Sequence, residues 1–367
     1  MLTANALSFA YSNGAPALDQ LTLAIKRGEK LAILGANGAG KSTLLTMLNG
    51  SLRPDAGQVE LDGKPVGYDR AGLLALRARV GLVLQDPDDQ LFAATVAEDV
   101  SFGPLNMGLS ADQARRRVEE ALHSMGISAL ARRPTHMLSF GQRKRVAIAG
   151  ILAMRPSVLL LDEPLGALDK KLREHTQFEI ANIQHKTGIT FVVVTHDQEE
   201  AMTLASRIAV MDRGVVRQIG TATDVYEYPN SRFVAGFIGS INLFEGEVMS
   251  VTDGLATVRV PQLGIDVTGL ATRDMAAGQK IAAAIRPEKI FISREPPQAD
   301  GNTLQGTVDD LGYFGKDSLY RIRLDTGTIL QVNSVNARRR PELERVAQWE
   351  DKVWLTFDPS AVILLRD

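Results

Sequence analysis

The stretch LAILGANGAGKST, residues 31–43, decides the fold of the first part of this 367-residue chain. An apolar run predicts a buried strand, a glycine-rich loop follows it, and the next residues predict a helix. The glycines let backbone N–H groups converge on phosphate oxygens, because no Cβ stands in the way. Lys41 adds a positive charge near the β- and γ-phosphates, and the Ser42 hydroxyl can bind Mg²⁺. The residues expected to contact a nucleotide here are Gly35, Asn37, Gly38, Gly40, Lys41, Ser42 and Thr43.

A pair of acidic residues follows a second apolar run, in SVLLLDEP (157–164). Ligands of parallel sheets bind at the carboxyl ends of the strands, so Asp162 is expected beside the phosphates, where it can hold Mg²⁺ directly or through water. Glu163 then projects towards the attacking water. Two adjacent acids can also be a solvated strand end, but beside a phosphate loop they indicate hydrolysis, one for the metal and one for polarising water.

Two more polar residues follow predicted strands. His196 ends VVVTH on a strand expected to run parallel to that of Asp162, so its imidazole can reach the γ-phosphate. Gln85 follows VGLVL and can contact Mg²⁺ and water from a loop. The other histidines lack metal-ligand spacing and are interpreted as structural; they are His123, His136, His175 and His185.

A second possible anion site lies in MLSFGQRKRVAIAG, residues 137–150. Ser139, Gly141 and Gln142 open a predicted helix, and a serine and a glycine at a helix start leave backbone N–H groups available to an anion. The chain therefore carries two phosphate-binding helix starts about a hundred residues apart.

The pattern of apolar residues changes along the chain. Through residue 240, short apolar runs alternate with helical segments, which predicts an α/β domain with a buried parallel sheet and a largely helical insertion at about 86–150. Within the insertion, Ser110 and Gln113 have the spacing of a capping box. From residue 241 to 367, short strand patterns such as ATVRV and KVWLTF recur between turns, which predicts a small all-β barrel or a pair of barrels.

Composition excludes several classes of protein. The formal net charge is −2, from 41 basic and 43 acidic side chains, so nothing points to a nucleic-acid binder. The chain has no cysteine, which excludes a disulfide scaffold and a thiolate metal site. No apolar run approaches the length of about 20 residues that a membrane span needs, so a membrane role is expected to come through a partner.

Together these segments resemble the ATPase subunit of an ABC transporter over essentially the whole chain, in the family's order. The loop at 35–42 resembles Walker A, 158–163 resembles Walker B with its catalytic glutamate, and Gln85 resembles the Q-loop. LSFGQ (138–142) resembles the signature motif, although Phe140 replaces the usual glycine. The resemblance further implies a D-loop at 166–169 with Asp169, His196 as the switch histidine, and Tyr11 stacking on adenine.

The resemblance implies ATP and Mg²⁺ as cofactors and a P-loop ABC ATPase domain at 1–240, followed by an OB-like, TOBE-type regulatory domain at 241–367. It implies that two copies, or one copy and a close paralogue, face each other head to tail, so that Ser139 and Gly141 of one serve the γ-phosphate held by the other. It further implies transmembrane permease subunits, an extracytoplasmic solute-binding protein, a peripheral place on the cytoplasmic face of the inner membrane, and no direct contact with nucleic acid.

The finer resemblance changes after residue 164. Up to that point, segments such as LQDPDDQLFAATVAEDVSFGP resemble cobalt/nickel ATPases of the energy-coupling-factor type. From Leu165, LGALDKKLRE, FIGSINLFEGEV and IRPEKI resemble polyamine (putrescine/spermidine) ATPases. A chimera, a designed sequence or a natural relative of both groups would show such a change. We expect a polyamine importer, because that resemblance covers more of the chain and accounts for the extra domain.

Three alternatives stay open at this stage. The first is the ATPase of a cobalt/nickel importer. The second is a soluble ABC ATPase that acts on nucleic acid or ribosomes, against which stand the single cassette and a near-neutral barrel without a basic, aromatic stripe. The third is a nucleotide-binding regulator without hydrolysis, in which Glu163 or His196 would be idle.

Overall fold

The computed structural model describes residues 1–12, 14–166, 170–297, 301–336 and 346–366. The chain divides into two units, Met1–Ala222 and Thr223–Asp367. Within the described residues, every helix is too short or too polar to cross a lipid bilayer.

The first unit is built around a buried sheet. Its strands are β1 (Leu2–Ala10), β2 (Pro16–Ile25), β3 (Lys30–Gly35), β4 (Ala56–Leu61), β5 (Lys64–Pro65), β6 (Val80–Val83), β7 (Val158–Asp162), β8 (Thr190–Thr195), β9 (Arg207–Asp212) and β10 (Val215–Gly220). Among the described residues, six of them form one sheet in the order β10-β9-β3-β8-β7-β6, and four form a second, antiparallel sheet in the order β2-β1-β4-β5. The first sheet is parallel except for the β9–β10 pair. Every residue of β7 and of β8 is buried, as expected for central parallel strands.

The order of this sheet places the predicted site residues together. β8 lies between β3 and β7 and runs parallel to both. The carboxyl ends of these three strands therefore meet at one edge, and the phosphate loop, Glu163 and His196 directly follow β3, β7 and β8.

Helices flank the sheet of the first unit. They are α1 (Lys41–Leu48), α2 (Arg70–Arg79), α3 (Val96–Asn106), α4 (Ala111–Ser124), α5 (Phe140–Leu152), α6 (Lys170–Thr187) and α7 (Gln198–Leu204). The stretch predicted as a helical insertion, about 86–150, contains α3, α4 and most of α5. Ser110 and Gln113 form the expected capping box at the start of α4.

The second unit consists mainly of strands. These are β11 (Asn242–Thr252), β12 (Leu255–Val260), β13 (Ile265–Leu270), β14 (Lys280–Ile285), β15 (Phe291–Ser293), β16 (Asn302–Tyr313), β17 (Asp317–Leu324), β18 (Ile329–Val335), β19 (Lys352–Phe357) and β20 (Val362–Leu365), with the short helices α8 (Ala222–Glu227) and α9 (Arg232–Phe237) before them. Over the described residues they make two five-stranded antiparallel sheets, β13-β12-β11-β14-β20 and β15-β19-β16-β17-β18. Val258 of the first sheet and Ile322 of the second belong to one hydrophobic core, which confirms the all-β, OB-like expectation.

A buried arginine joins the segment at 223–240 to the second unit. The Arg286 side chain is only 1% exposed, and it donates hydrogen bonds to the carbonyl oxygens of Tyr226, at 2.8 Å, of Ile238, and of Ser240, at 3.2 Å. The Tyr226 ring centroid lies 4.0 Å from the guanidinium carbon, a cation–π distance. Burial lowers the pKa of Arg286. These contacts place residues 223–240 in the second unit, whereas the sequence analysis put the boundary near 240.

Replacing Arg286 with methionine should destabilise the second unit by about 3 kcal/mol, because buried carbonyl groups lose their donor. Urea unfolding of the full chain, followed by tryptophan fluorescence, measures this. The matched control is Arg294→Met, since Arg294 is 46% exposed and its ion pair with Asp351 should contribute less than about 1 kcal/mol. Equal losses in the two variants would contradict the assignment of Arg286 as the residue that holds this segment.

Candidate nucleotide-binding site

The loop between β3 and α1 has the geometry of a phosphate cradle. The Lys41 side chain is 6% exposed, and its Nζ donates to the carbonyl oxygens of Gly35 at 2.8 Å and Ala36 at 2.9 Å. Burial lowers the pKa of Lys41, while the charges of Glu163 and Asp162 raise it. The ammonium group therefore lies over the loop, held by the loop's own carbonyl groups.

Two of the loop glycines are required by backbone packing as well as by the expected approach of a phosphate. A Cβ on Gly40 would lie 2.3 Å from the carbonyl oxygen of Ala17, and one on Gly35 would lie 2.6 Å from that of Met211. At Gly38 there is open space, but its φ of +80° is a left-handed conformation that other residues rarely adopt. Backbone packing thus restricts two of these positions in addition to the expected approach of a phosphate.

Asp162 ends β7 next to the loop and presents an unsatisfied oxygen. Its side chain is buried near Ser42, and its Oδ1 has no hydrogen-bond partner among the described residues. Burial raises the pKa of this carboxyl group. A buried carboxylate oxygen beside a hydroxyl fits a hard divalent cation that takes its other ligands from phosphate and water. The described residues contain no cluster of three or more acidic or histidine side chains that would hold a metal by themselves.

The side chains of Glu163, Gln85 and His196 meet at this edge of the sheet. Gln85 Nε2 donates to Glu163 Oε2 at 2.9 Å, and His196 Nδ1 lies 3.1 Å from Glu163 Oε1. Because a carboxylate only accepts, the histidine donates from Nδ1, which leaves Nε2 for another partner. Gln85 and His196, which follow two different strands, thus both contact the carboxylate of Glu163, which follows a third.

Glu163 has an unusual backbone conformation. Its φ is +42°, in the left-handed region, which costs of order 1–3 kcal/mol for such a residue. Its N–H donates to the carbonyl oxygen of Val194 at 3.0 Å, and its own carbonyl oxygen accepts from Gly166 N at 3.1 Å and from Lys144 Nζ at 3.0 Å. The surrounding hydrogen bonds fix the conformation that aims this carboxylate.

Lys144 is a residue of the site that the sequence analysis missed. It lies on α5, is 1% exposed, and donates to the carbonyl oxygens of Gln85 and Glu163. Burial lowers its pKa to about 8, although the nearby acids, Asp162 first, raise it. Its helical spacing could have indicated that it is buried. Ala147 and Ile148, three and four residues after it, belong to the apolar face of α5.

Most of the predicted contacts line one cavity of about 730 Å³. Tyr11 borders it with its ring half exposed, and its hydroxyl lies 3.1 Å from Thr43 Oγ1. The predicted residues that line the cavity are Tyr11, Asn37, Gly38, Gly40, Lys41, Ser42, Thr43, Gln85, Glu163 and His196. Asp169 and the side chain of His175 lie outside the described part of the chain.

The second predicted anion site does not line this cavity. Ser139 caps α5, accepting a hydrogen bond from Gln142 N, while Gln142 Oε1 accepts from Ser139 N at 3.0 Å. The capping box uses the Gln142 side chain within its own helix, and Gly141 is buried. The structure therefore keeps the two helix starts apart within one chain.

The chain matches two protein families, the ABC transporter family over residues 18–166 and the TOBE domain over residues 283–365. It is 40% identical over 354 residues to the putrescine transport ATP-binding protein PotG of Escherichia coli, covering 96% of this chain and 92% of that protein. It is 57% identical over 225 residues to the cobalt import ATP-binding protein CbiO of Rhodobacter capsulatus, covering 61% of this chain and 80% of that one. The cobalt-type similarity thus extends over more residues than the 164 that precede the expected change.

A solved structure shares the fold. It is the dimeric, post-hydrolysis form of the ATP-binding cassette MJ0796 bound to ADP and Pi, with a TM-score of 0.56, 31% identity, and coverage of 60% of this chain and 99% of that one. Similarity to PotG extends over almost the full length of both proteins, and the phosphate loop, the acid pair and the histidine meet in one cavity. The chain therefore belongs to the ATP-binding subunits of ABC transporters, among those that carry a carboxyl-terminal TOBE domain.

Proposed function

We propose that this chain hydrolyses ATP to drive the uptake of a small cationic solute, a polyamine such as putrescine or spermidine, through an ABC importer. The observation that carries the proposal is the contact of Gln85 and His196 with Glu163, beside the phosphate loop. The near full-length similarity to PotG supports the choice of solute.

ATP would bind in the cavity of about 730 Å³. Lys41 would exchange its two backbone carbonyl partners for the β- and γ-phosphates, and the Tyr11 ring would stack on adenine. The backbone of Gly35, Asn37, Gly38 and Gly40 would contact phosphate, together with Thr43.

Mg²⁺ would be held by Ser42, Asp162 and Gln85, and it would neutralise charge on the phosphates. Glu163 would polarise the attacking water, and His196 would contact the γ-phosphate through Nε2. For Gln85 to reach the metal, its hydrogen bond to Glu163 must break, which frees the carboxylate for water.

A second copy of the chain, or a close paralogue, would complete each site. Within one chain, Ser139, Gly141 and Gln142 do not line the cavity, so we assign them to a nucleotide held by another subunit. There the N–H groups of Ser139 and Gln142 would exchange their capping-box partners for phosphate. The related cassette MJ0796, solved as a dimer with ADP and Pi, supports this arrangement. By resemblance, Asp169 of the D-loop would also bind the nucleotide.

The permease would dock in an apolar groove of about 810 Å³ on the first unit. Leu74, Phe92, Phe102 and Met107 line the groove and are exposed, and the Phe92 and Phe102 rings meet edge to face at 4.7 Å. Gln90, five residues after Gln85, also lines it, so a helix of a transmembrane subunit seated here would adjoin the Q-loop. The subunit would work at the cytoplasmic face of the inner membrane, with an extracytoplasmic solute-binding protein on the other side and without direct contact with nucleic acid.

Cobalt or nickel import is the second candidate. The sequence identity to CbiO favours it, because that identity is 57% over 225 residues, whereas the identity to PotG is 40% over 354 residues. The TOBE domain and the longer match favour the polyamine.

Glu163→Gln with ATP and Mg²⁺ should form a stable dimer, because closure is retained while water is no longer polarised. Size-exclusion chromatography with light scattering measures the mass. The control is the Lys41→Ala, Glu163→Gln double variant, which should stay monomeric. A Glu163→Gln chain that remains single in solution and also beside its permease would refute the dimer.

Mixing Lys41→Ala chains with Ser139→Arg chains should restore hydrolysis above that of either variant alone. Each heterodimer has one intact site, because Lys41 and Ser139 of different chains serve the same nucleotide. Phosphate release after mixing measures the recovery, and each variant mixed with itself is the control. Heterodimers that form without recovery would contradict the shared site.

Expression with its permease should restore putrescine uptake in cells that lack their own polyamine ATPase. Uptake of labelled putrescine is compared with that of Co²⁺ and Ni²⁺ in cells that lack a cobalt/nickel ATPase, and Glu163→Gln is the inactive control. Restoration of metal uptake alone would assign the cobalt/nickel function instead.

A further inference from the structure

We propose that Lys144 is a positioning residue that holds Gln85 and Glu163 of its own chain in place for hydrolysis, although it lies on the helix that begins with the signature motif. The inference rests on the proposed function, because it assigns the roles of Gln85 and Glu163 as described there. It adds a residue to the hydrolytic machinery and says on which of the two ATP sites that residue acts.

The first support is the burial and bonding of the Lys144 ammonium group. The side chain is 1% exposed, and Nζ donates to the carbonyl oxygen of Gln85 and, at 3.0 Å, to that of Glu163. A buried charge is strongly destabilising unless it is hydrogen-bonded and faced by opposite charge. Here two carbonyl groups and the neighbouring carboxyl groups of Asp162 and Glu163 supply both. The surroundings of Nζ therefore stabilise a buried ammonium group that is hydrogen-bonded to two backbone carbonyl groups.

The second support is that these contacts close a ring. Lys144 joins the backbones of Gln85 and Glu163, and the side chains of the same two residues meet at 2.9 Å. Moving either backbone would also move the amide or the carboxylate that would handle water. Because the backbone of Glu163 is in the left-handed region, with φ at +42°, the hydrogen bond from Lys144 helps to hold a conformation that most residues avoid.

Arg143, next to Lys144, makes a second contact between α5 and the segment after Gln85. Arg143 Nε lies 2.8 Å from Asp88 Oδ1, in the short turn that follows Gln85. Asp88 is 60% exposed, so this ion pair is open to solvent and contributes little by itself. The buried contact of Lys144 is the stronger connection between α5 and the Q-loop.

The position of Lys144 on α5 separates two roles on one helix. Ser139, at the start of the helix, would serve the partner's nucleotide, whereas Lys144 contacts residues of its own chain's site. A defect at Lys144 therefore affects the ATP site that holds Lys41 of the same chain.

Steady-state kinetics tests the positioning role. Lys144→Met should lower kcat for ATP by roughly 10- to 100-fold, because a small misplacement of reacting groups has effects of that size, while ATP affinity stays within about twofold. Lys144→Arg should regain much of the rate, since it restores the donors. The control Arg145→Met removes an equal charge one residue along and should leave kcat within about twofold.

A Lys144→Met chain with the kcat of the wild type would overturn the inference. So would equal losses of kcat and ATP affinity without rescue by Lys144→Arg, because they would indicate a structural defect. Should Lys144→Met fail to fold, Lys144→Gln takes its place under the same criteria, because its side chain is one bond shorter than that of lysine and carries no charge.

Mixtures of two variants test which of the two ATP sites Lys144 serves. Lys144→Met mixed with Ser139→Arg should recover up to about a quarter of the wild-type rate, since half the dimers are mixed and each has one intact site. Lys144→Met mixed with Lys41→Ala should recover nothing, because the damage in both chains lies on the side of the phosphate loop. The opposite pattern would show that Lys144 acts through the signature motif and would overturn the inference.

The mixture of Lys41→Ala and Ser139→Arg separates the two proposals. If that mixture recovers and Lys144→Met with Ser139→Arg does not, the inference fails while the shared site stands. If the first mixture does not recover, the shared site fails, and the kinetic comparison of Lys144→Met with Lys144→Arg still decides the positioning role.

Discussion

The carboxylate of Glu163 is the point on which the nucleotide site depends. One oxygen accepts a hydrogen bond from Gln85 and the other faces His196, while the backbone of Glu163 is held in a left-handed conformation by contacts from Val194, Gly166 and Lys144. In the proposed function this acid acts on a nucleotide that the phosphate loop holds. The parallel order β3-β8-β7 supplies that arrangement, because it brings three strand ends to one edge.

Without a nucleotide, the polar groups of the site are satisfied mainly by one another. Lys41 donates to its own loop, and Gln85 and His196 contact Glu163, whereas Asp162 Oδ1 is buried without a hydrogen-bond partner among the described residues. In the proposed function, ATP and its metal exchange these internal contacts for contacts with phosphate. Such an exchange explains how binding can prepare the site for hydrolysis without a large change in the sheet.

The two units carry different information about function. The first unit contains the cavity and the groove, and a stretch of 225 residues is 57% identical to a cobalt import protein. The second contains the TOBE domain, which accompanies the near full-length match to a putrescine transport protein. In the proposed function, all residues assigned to ATP chemistry lie in the first unit of this chain or of its partner copy, and none of them contacts the solute.

The sequence by itself determined the type of fold, the phosphate loop and the residues at the strand ends, because each is written in a short local pattern of glycines, apolar runs and polar residues. Asp162, Glu163, His196 and Gln85 could each be found in that way. The contact of Gln85 and His196 with the carboxylate of Glu163 depended on the order of the strands, which no local pattern contains. Lys144 and Arg286 were missed because a buried charge looks like a surface charge until the carbonyl groups around it, from distant segments, are brought together. The grouping of residues 223–240 with the second unit also depended on tertiary structure, because only the folded chain shows that Arg286 binds their backbone.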